Sequence, residues 1–349
     1  MTTHMGWKTM LFSRRKLIGG SAGGFVAAIC QKTASSQPLP TISRNTKLVV
    51  TGYYRTPAFL IAQSKGYFAK EGLEVEFHLV GLAPEHNRGL AEGRWPITLS
   101  SADTMLARTS QDNTDFLIFL QPEQGLDVQL VARPGIKKLS DLRGKVFAAD
   151  PVDSNYDLVR NKVMLSNGVR ENEYLIDILG NSRARAEAFA AGKVDAAMLQ
   201  GQFSENALAK GGMLLADGAD YIPNWPIMCG WGLRKWIESN RGTVVRFSRA
   251  LAMASDWLLA PENHEETIQL MMKEERLSRP RAEKNYSFVL PAAEPQPKSL
   301  LENLELRIEL GYYKPPHKPI EAFYDGTYWG QATGRAVPAP AGFPRNAIR

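Results

Sequence analysis

Lys47-Leu48-Val49-Val50-Thr51-Gly52-Tyr53, followed by a segment from Pro57 to Ala69 and then by Leu73-Glu74-Val75-Glu76-Phe77, is the stretch that decides the fold. The first run is β-rich and stops at a glycine, as a strand does. Ala58, Ile61, Ala62 and Phe68 recur near helical spacing, which predicts a helix over 57–69. Lys70-Glu71-Gly72 then turns the chain, and the alternation of apolar and acidic residues from Leu73 marks a half-buried strand. A β-α-β order within about thirty residues points to a parallel sheet covered by helices.

The pattern recurs downstream. Val146-Phe147-Ala148-Ala149 reads as a strand, Asp153-Ser154-Asn155 as the cap of a helix from Tyr156 to Asn167, and Tyr174 to Leu179 as the next strand. A helix containing Ala184, Ala188 and Phe189 follows, closed by Gly192, and Val194 to Leu199 is strand-like. Leu90-Ala91-Glu92-Gly93-Arg94 and Phe189-Ala190-Ala191-Gly192-Lys193 each end a helix with glycine and a basic residue before a strand. Two lobes of like construction are expected. Further helices are predicted over 243–259, where Val244, Phe247, Ala250, Leu251, Ala254, Trp257 and Leu258 form an apolar face, over 265–273, and over 300–310. The last residues, 336–349, carry three prolines and read as a tail.

The N-terminus has a different composition. Ser13-Arg14-Arg15-Lys16-Leu17-Ile18 precedes a short, glycine-interrupted apolar run ending near Cys30, which is the layout of an export signal of the twin-arginine type. Ala34-Ser35-Ser36 supplies small residues for cleavage, so 1–36 is read as the signal. Ile29 before Cys30 departs from a lipoprotein pattern. Gly19-Gly20-Ser21-Ala22-Gly23 matches the nucleophile elbow of serine hydrolases only formally, because a segment lost on export supplies no core.

The signal also explains the charge. The whole chain of 349 residues has 42 Lys and Arg against 36 Asp and Glu, a formal +6. Lys8, Arg14, Arg15, Lys16 and Lys32 lie in 1–36 without an acidic residue, leaving 37 against 36 in the remainder. That balance removes the charge argument for a nucleic-acid partner. Cys30 and Cys229 permit at most one disulfide and no four-thiolate zinc site.

Three segments carry a family resemblance: Ile61-Ala62-Gln63-Ser64-Lys65-Gly66-Tyr67-Phe68-Ala69-Lys70-Glu71-Gly72-Leu73-Glu74-Val75, Leu139-Ser140-Asp141-Leu142-Arg143-Gly144-Lys145, and Ala190-Ala191-Gly192-Lys193-Val194-Asp195-Ala196-Ala197. In this order and spacing the chain resembles the periplasmic solute-binding proteins of nitrate, sulfonate, taurine and thiamine-precursor ABC uptake systems. The resemblance implies an α/β, two-lobed Venus-flytrap fold of the type II kind, each lobe a mostly parallel sheet flanked by helices. It also implies a small-molecule ligand, a permease partner in the inner membrane, a periplasmic location, a monomer, and no cofactor or metal. On this reading lobe 1 takes 37–135, lobe 2 takes 136–240, and 241–335 returns to lobe 1. Pro96 stands where such proteins usually carry aspartate; its counterpart, Asp195, is read as structural.

Ligands of open α/β sheets sit at the carboxyl ends of strands, where helix N-termini present free N–H groups. The candidates are therefore Tyr53, Tyr54, Arg55 and Thr56 after the first strand; Ser100, Ser101 and Asp103 after the Ile97 strand; Ser154, Asn155 and Tyr156 after the Val146 strand; Gln200 and Gln202 after the Val194 strand; and Trp225 in an aromatic loop. Arg55, a planar fork suited to carboxylate or sulfonate, together with the aromatics predicts a small organic anion, aromatic or sulfonate-like. Several of these residues have a structural alternative, as helix caps, core or an inter-lobe salt bridge. Trp231 and Trp236 are expected to pack between lobes. A competing reading is an enzyme on the same fold, desulfinase-like or pyrimidine-synthase-like, using Cys229 or a histidine.

Overall fold

The computed structural model describes residues 45–339 apart from 82 and 113; the expected signal and most of the expected tail lie outside that range. The first sheet contains β1 (Thr46–Gly52), β2 (Leu73–Leu79), β3 (Ile97–Ser100) and β4 (Phe116–Glu123). The second contains β5 (Val128–Ala132), β6 (Val146–Ala149), β7 (Leu175–Ile178), β8 (Ala196–Gln200) and β9 (Met213–Asp217), and β10 (Met228–Leu233) returns to the first.

The strand orders are β2-β1-β3-β10-β4 and β7-β6-β8-β5-β9. They are the same arrangement. In each, three strands pair in parallel, and a fourth, antiparallel one lies between the third and the fifth. That antiparallel strand always comes from beyond a crossing: β5 follows the first crossing, 124–127, and β10 follows the second, 218–227. The pairing thus puts Val128–Ala132 in the second lobe and Met228–Leu233 in the first, so the lobes meet earlier along the chain than the divisions at 135 and 240. The reason is strand exchange, a non-local pairing that local pattern does not reveal.

Packing follows the apolar periodicities. The Arg241–Leu259 helix buries Val244, Phe247, Ala250, Leu251, Ala254 and Leu258 in one cluster with Leu48, Val50, Leu117 and Phe119 of the first sheet. Each large side chain so buried contributes about 1.5–3 kcal/mol. The helix predicted over 57–69 is interrupted: Gly66, at φ +69°, separates Pro57–Ser64 from Tyr67–Lys70. Trp257 is only half-buried, at the rim of this core, with Lys65 Nζ 4.1 Å from its ring centre. Trp231 and Trp236 also belong to the first lobe: Trp231 meets Phe116 edge-on at 5.0 Å, and Trp236 packs against the core beneath the Arg241–Leu259 helix.

Asp195 has the structural role expected of it. Its Oδ2 accepts from the Val146 N–H at 2.9 Å, while its carbonyl accepts from the Arg133 N–H at 2.9 Å, fixing the entry of β8 between β6 and β5. Pro96 offers the first lobe no such carboxylate. Among the described residues no helix is long and apolar enough to cross a membrane.

Candidate functional site

Parallel strands of each sheet end toward the crossings, and there the two lobes face each other. Tyr54 follows β1, and its hydroxyl donates to Glu123 Oε2 at 2.6 Å; Glu123 is the last residue of β4, immediately before the first crossing. From the second lobe, Tyr156 in the Asn155–Ser166 helix donates its hydroxyl to Gln200 Oε1 at the end of β8. The Arg185 guanidinium lies 5.1 Å from the centre of the Tyr156 ring. Arg281 of the first lobe pairs with Asp127 of the first crossing and lies 3.6 Å from Glu205 of the second lobe, so residues of both lobes converge here.

The convergence is electrostatically tight. Glu123 is 1% exposed, and burial pushes its carboxyl up to about 7 against the opposing pull of the Tyr54 hydrogen bond. Burial also raises Tyr54 well above an ordinary phenol and keeps Tyr156 neutral. Asp127, in the first crossing, pairs with Arg281 and accepts from the Gly201 N–H at 3.1 Å. Asp150, at the end of β6, pairs with Arg185; burial nonetheless raises it to about 6.

Of the candidates read from sequence, Tyr54, Ser101, Tyr156 and Gln200 stand at this convergence. The others have local duties. Arg55 is held within the first lobe by Glu275 at 2.6 Å and Glu274 at 3.6 Å, so its fork is not open to an anion. Thr56 is fully buried and caps the Pro57–Ser64 helix by accepting from Phe59 N–H at 3.1 Å. Tyr53, 41% exposed, sits edge-on to His86 at 5.5 Å. Ser100 lies in the ladder opposite Cys229, and Asp103 is fully buried in a two-bond fork with Arg307, both at 2.7 Å.

In the second lobe, Ser154 caps its helix by accepting from the Asp157 N–H, and Asn155 Oδ1 accepts from the Tyr156 N–H. Gln202 is exposed and reaches Asn206. Trp225 is 1% exposed and belongs to the second lobe's core, since the loop folds inward over Val128 and Met198. Glu123, Asp127, Asp150, Arg185 and Arg281 were not read from the sequence. A signal existed for Glu123: the apolar run Phe116-Leu117-Ile118-Phe119-Leu120 is followed three residues later by a lone acid, the form of a strand that delivers a carboxylate at its C-terminus.

The thiol and the imidazoles give little support to catalysis. Cys229 is fully buried within an apolar cluster, and burial raises its thiol well above the ordinary value. His86 is 1% exposed, 2.9 Å from Thr51 Oγ1, and burial lowers it to about 4. His264 pairs with Glu283 and His78 with Glu76, far apart in the sequence and each on its own element. Among the described residues no cluster of three or more His, Cys, Asp or Glu is arranged to hold a metal ion.

Residues 55–264 match the model of a family described as NMT1/THI5 like. The putative binding protein YtlA of Bacillus subtilis (strain 168) is 25% identical over 210 residues, covering 58% of this chain and 62% of that protein. The chain thus spans less than two thirds of the length of this curated relative. Among solved structures, the periplasmic aliphatic sulphonate binding protein SsuA from Escherichia coli aligns over 78% of this chain and 94% of its own, with a TM-score of 0.62 at 17% identity. The periplasmic nitrate-binding protein NrtA from Synechocystis PCC 6803 aligns over 85% and 92%, with a TM-score of 0.66 at 14% identity. Both likenesses are of fold: two lobes, each a mixed sheet flanked by helices.

Proposed function

We propose a function from one premise: the chain belongs to the NMT1/THI5-like family. On that premise it is the solute-binding component of an ABC uptake system, capturing a small organic molecule between its lobes and passing it to a membrane permease. The observation that carries this reading is that Tyr54 with Glu123 in one lobe and Tyr156 with Gln200 in the other stand at the C-terminal ends of equivalent strands, where Arg281 of the first lobe reaches Asp127 of the crossing and Glu205 of the second lobe. Ligand contacts made by both lobes favour the closed arrangement, because only a ligand that binds it better shifts the equilibrium toward it. The binding-protein names of YtlA, SsuA and NrtA support the same reading. The Ser13-Arg14-Arg15-Lys16-Leu17-Ile18 segment supports export by the twin-arginine route, and the carrier is proposed to act as a monomer.

A catalytic role for Cys229 is disfavoured by its burial and raised thiol. The expected anion rested on Arg55, which is already paired. Thermal-shift screening of the exported protein against sulfonates, carboxylates, nitrate, pyrimidines and amines tests the carrier reading. A ligand present at about 100 times its Kd adds about 2.7 kcal/mol to stability and raises the midpoint. If no member of the panel raises it while some candidate is turned over, the carrier reading is wrong.

A further inference from the structure

Two polar atoms at the cleft edge of the first sheet have no hydrogen-bond partner among the described residues: Glu123 Oε1 and Ser101 Oγ, both buried. The strand register relates them. Ser100 pairs with Cys229 and Glu123 with Met228, so Ser101 and Glu123 stand on either side of Met228 at the same end of the sheet. Ser101 occupies the N-cap position of the Ala102–Gln111 helix without making a cap bond, so its hydroxyl is not used by the backbone. Glu123 gives one oxygen to Tyr54 and keeps the other free. An orphaned carboxylate oxygen is costly in a buried site unless something that binds there satisfies it.

The surrounding charges fix its sign. Four guanidiniums close to the inter-lobe region already have carboxylates: Arg55 with Glu274 and Glu275, Arg185 with Asp150, Arg281 with Asp127 and Glu205, and Arg307 with Asp103 and Asp153. The group left unsatisfied is an acceptor. We propose that the ligand of the cleft is a cation carrying an aromatic ring, an arylalkyl amine or an aryl amidine, whose N–H groups are held by Glu123 Oε1 with Ser101 Oγ beside it and whose ring lies against Tyr54 and Tyr156. This names the ligand class for the carrier role proposed above and rests on that reading.

A pH dependence of definite sign accompanies it. Burial pushes the Glu123 carboxyl up to about 7. The groups around it are Tyr54 from the end of β1, with Arg281 and Tyr156 acting on that same tyrosine from the Arg279–Tyr286 and Asn155–Ser166 helices, and Asp127 balancing Arg281 from the crossing. β10 and the segment beyond the Arg279–Tyr286 helix present Met228 and Val289, which carry no charge. An N–H donor prefers the ionised carboxylate, so its affinity rises with pH up to about 7 and then levels, with a limiting slope of about tenfold per pH unit on the acid side. An anion would show the opposite slope.

The experiment compares benzylamine and benzamidine with benzoate and benzenesulfonate by calorimetry and thermal shift, from about pH 6 to about pH 8, on the exported protein and on E123Q, E123D and S101A. The expected result is that the amine or amidine binds, more weakly at the acid end, and that E123Q weakens it at least about tenfold and flattens the pH profile. Circular dichroism establishes that each variant is folded, and S101A provides a milder loss should E123Q fail to fold. Binding of the anions in place of the cations, affinity that falls with rising pH, or cation affinity unchanged in both E123Q and S101A would overturn the proposal and leave the carrier reading intact. If none of these probes nor any member of the wider panel binds, the carrier reading fails and this proposal with it.

Discussion

Two buried titratable side chains of the first lobe oppose each other across the acidic pH range. His86 is pushed down to about 4, so the stability it contributes is present above the ordinary 6.5 and is lost as pH falls toward 4. Glu123 is pushed up to about 7, so its contribution is complete below the ordinary 4.5 and is lost as pH rises through 7. Displacements of this size correspond to at most about 3 kcal/mol each, and over the shared window the two nearly cancel. Stability of the unmodified protein should therefore change little between about pH 4.5 and about pH 6.5 on account of this pair. In E123Q only the His86 slope remains, and urea unfolding should show the variant gaining on the parent by up to about 3 kcal/mol as pH rises from 4.5 to 7. A constant difference over that range would mean that Glu123 titrates normally. Neither shift is legible from local sequence, because both arise from burial by residues distant along the chain: Thr51 lies 35 positions from His86, and Tyr54 lies 69 from Glu123.

Among the elements, the Pro297–Glu309 helix does more than its amphipathic pattern indicates. Leu300 and Leu304 pack with the first lobe, while Leu306 belongs to the second lobe's core cluster. Between them Arg307, fully buried, forks onto Asp103 and also pairs with Asp153 of the second lobe. Asp153 holds φ +69°, a left-handed conformation unusual for aspartate, with its N–H donated to Asp157 and Arg108 3.5 Å away. Just beyond the helix, Tyr312 donates to Asp157 Oδ2 at 2.6 Å, a second cross-lobe tie. Periodicity predicted the helix over 300–310, yet a lone arginine at its end carries no local mark of a partner more than two hundred residues earlier. Removing one member of a buried pair strands the other, so R307M should cost about 3–5 kcal/mol. Replacing Asp103 as well, in R307M/D103L, should recover much of that loss in urea unfolding; equal losses in the single and double variants would mean that Arg307 matters through packing rather than charge.

For the whole molecule, the paired β-α-β rounds were legible because each is closed by contacts within a few tens of residues, with Gly93 and Gly192 at positive φ marking equivalent turns. The exchange of β5 and β10 was not legible, since a strand's sheet is decided by which neighbour it meets after a crossing. The two crossings are tied to each other: the Gly125 N–H donates to the Trp225 carbonyl at 2.8 Å. Gly125 has φ +146°, and a Cβ placed there would stand 2.2 Å from Phe288 Cδ1. Asp127, two residues on, holds both Arg281 and the Gly201 N–H, so a displaced Gly125 disturbs the junction from which Glu123 and the second lobe are both positioned. A side chain at 125 combines a strained backbone with a steric clash, the former alone costing about 1–3 kcal/mol. G125A should thus lower the unfolding midpoint and weaken ligand binding, although Gly125 offers the ligand no side chain. The same loss of affinity should not occur in G135A, where the added methyl meets no neighbouring atom within 4 Å and only the backbone strain at φ +97° is incurred. Calorimetric affinities and thermal midpoints of the two variants separate these effects: a junction that positions the lobes requires G125A to lose binding where G135A loses only stability, and equal affinities in the two would place the hinge elsewhere.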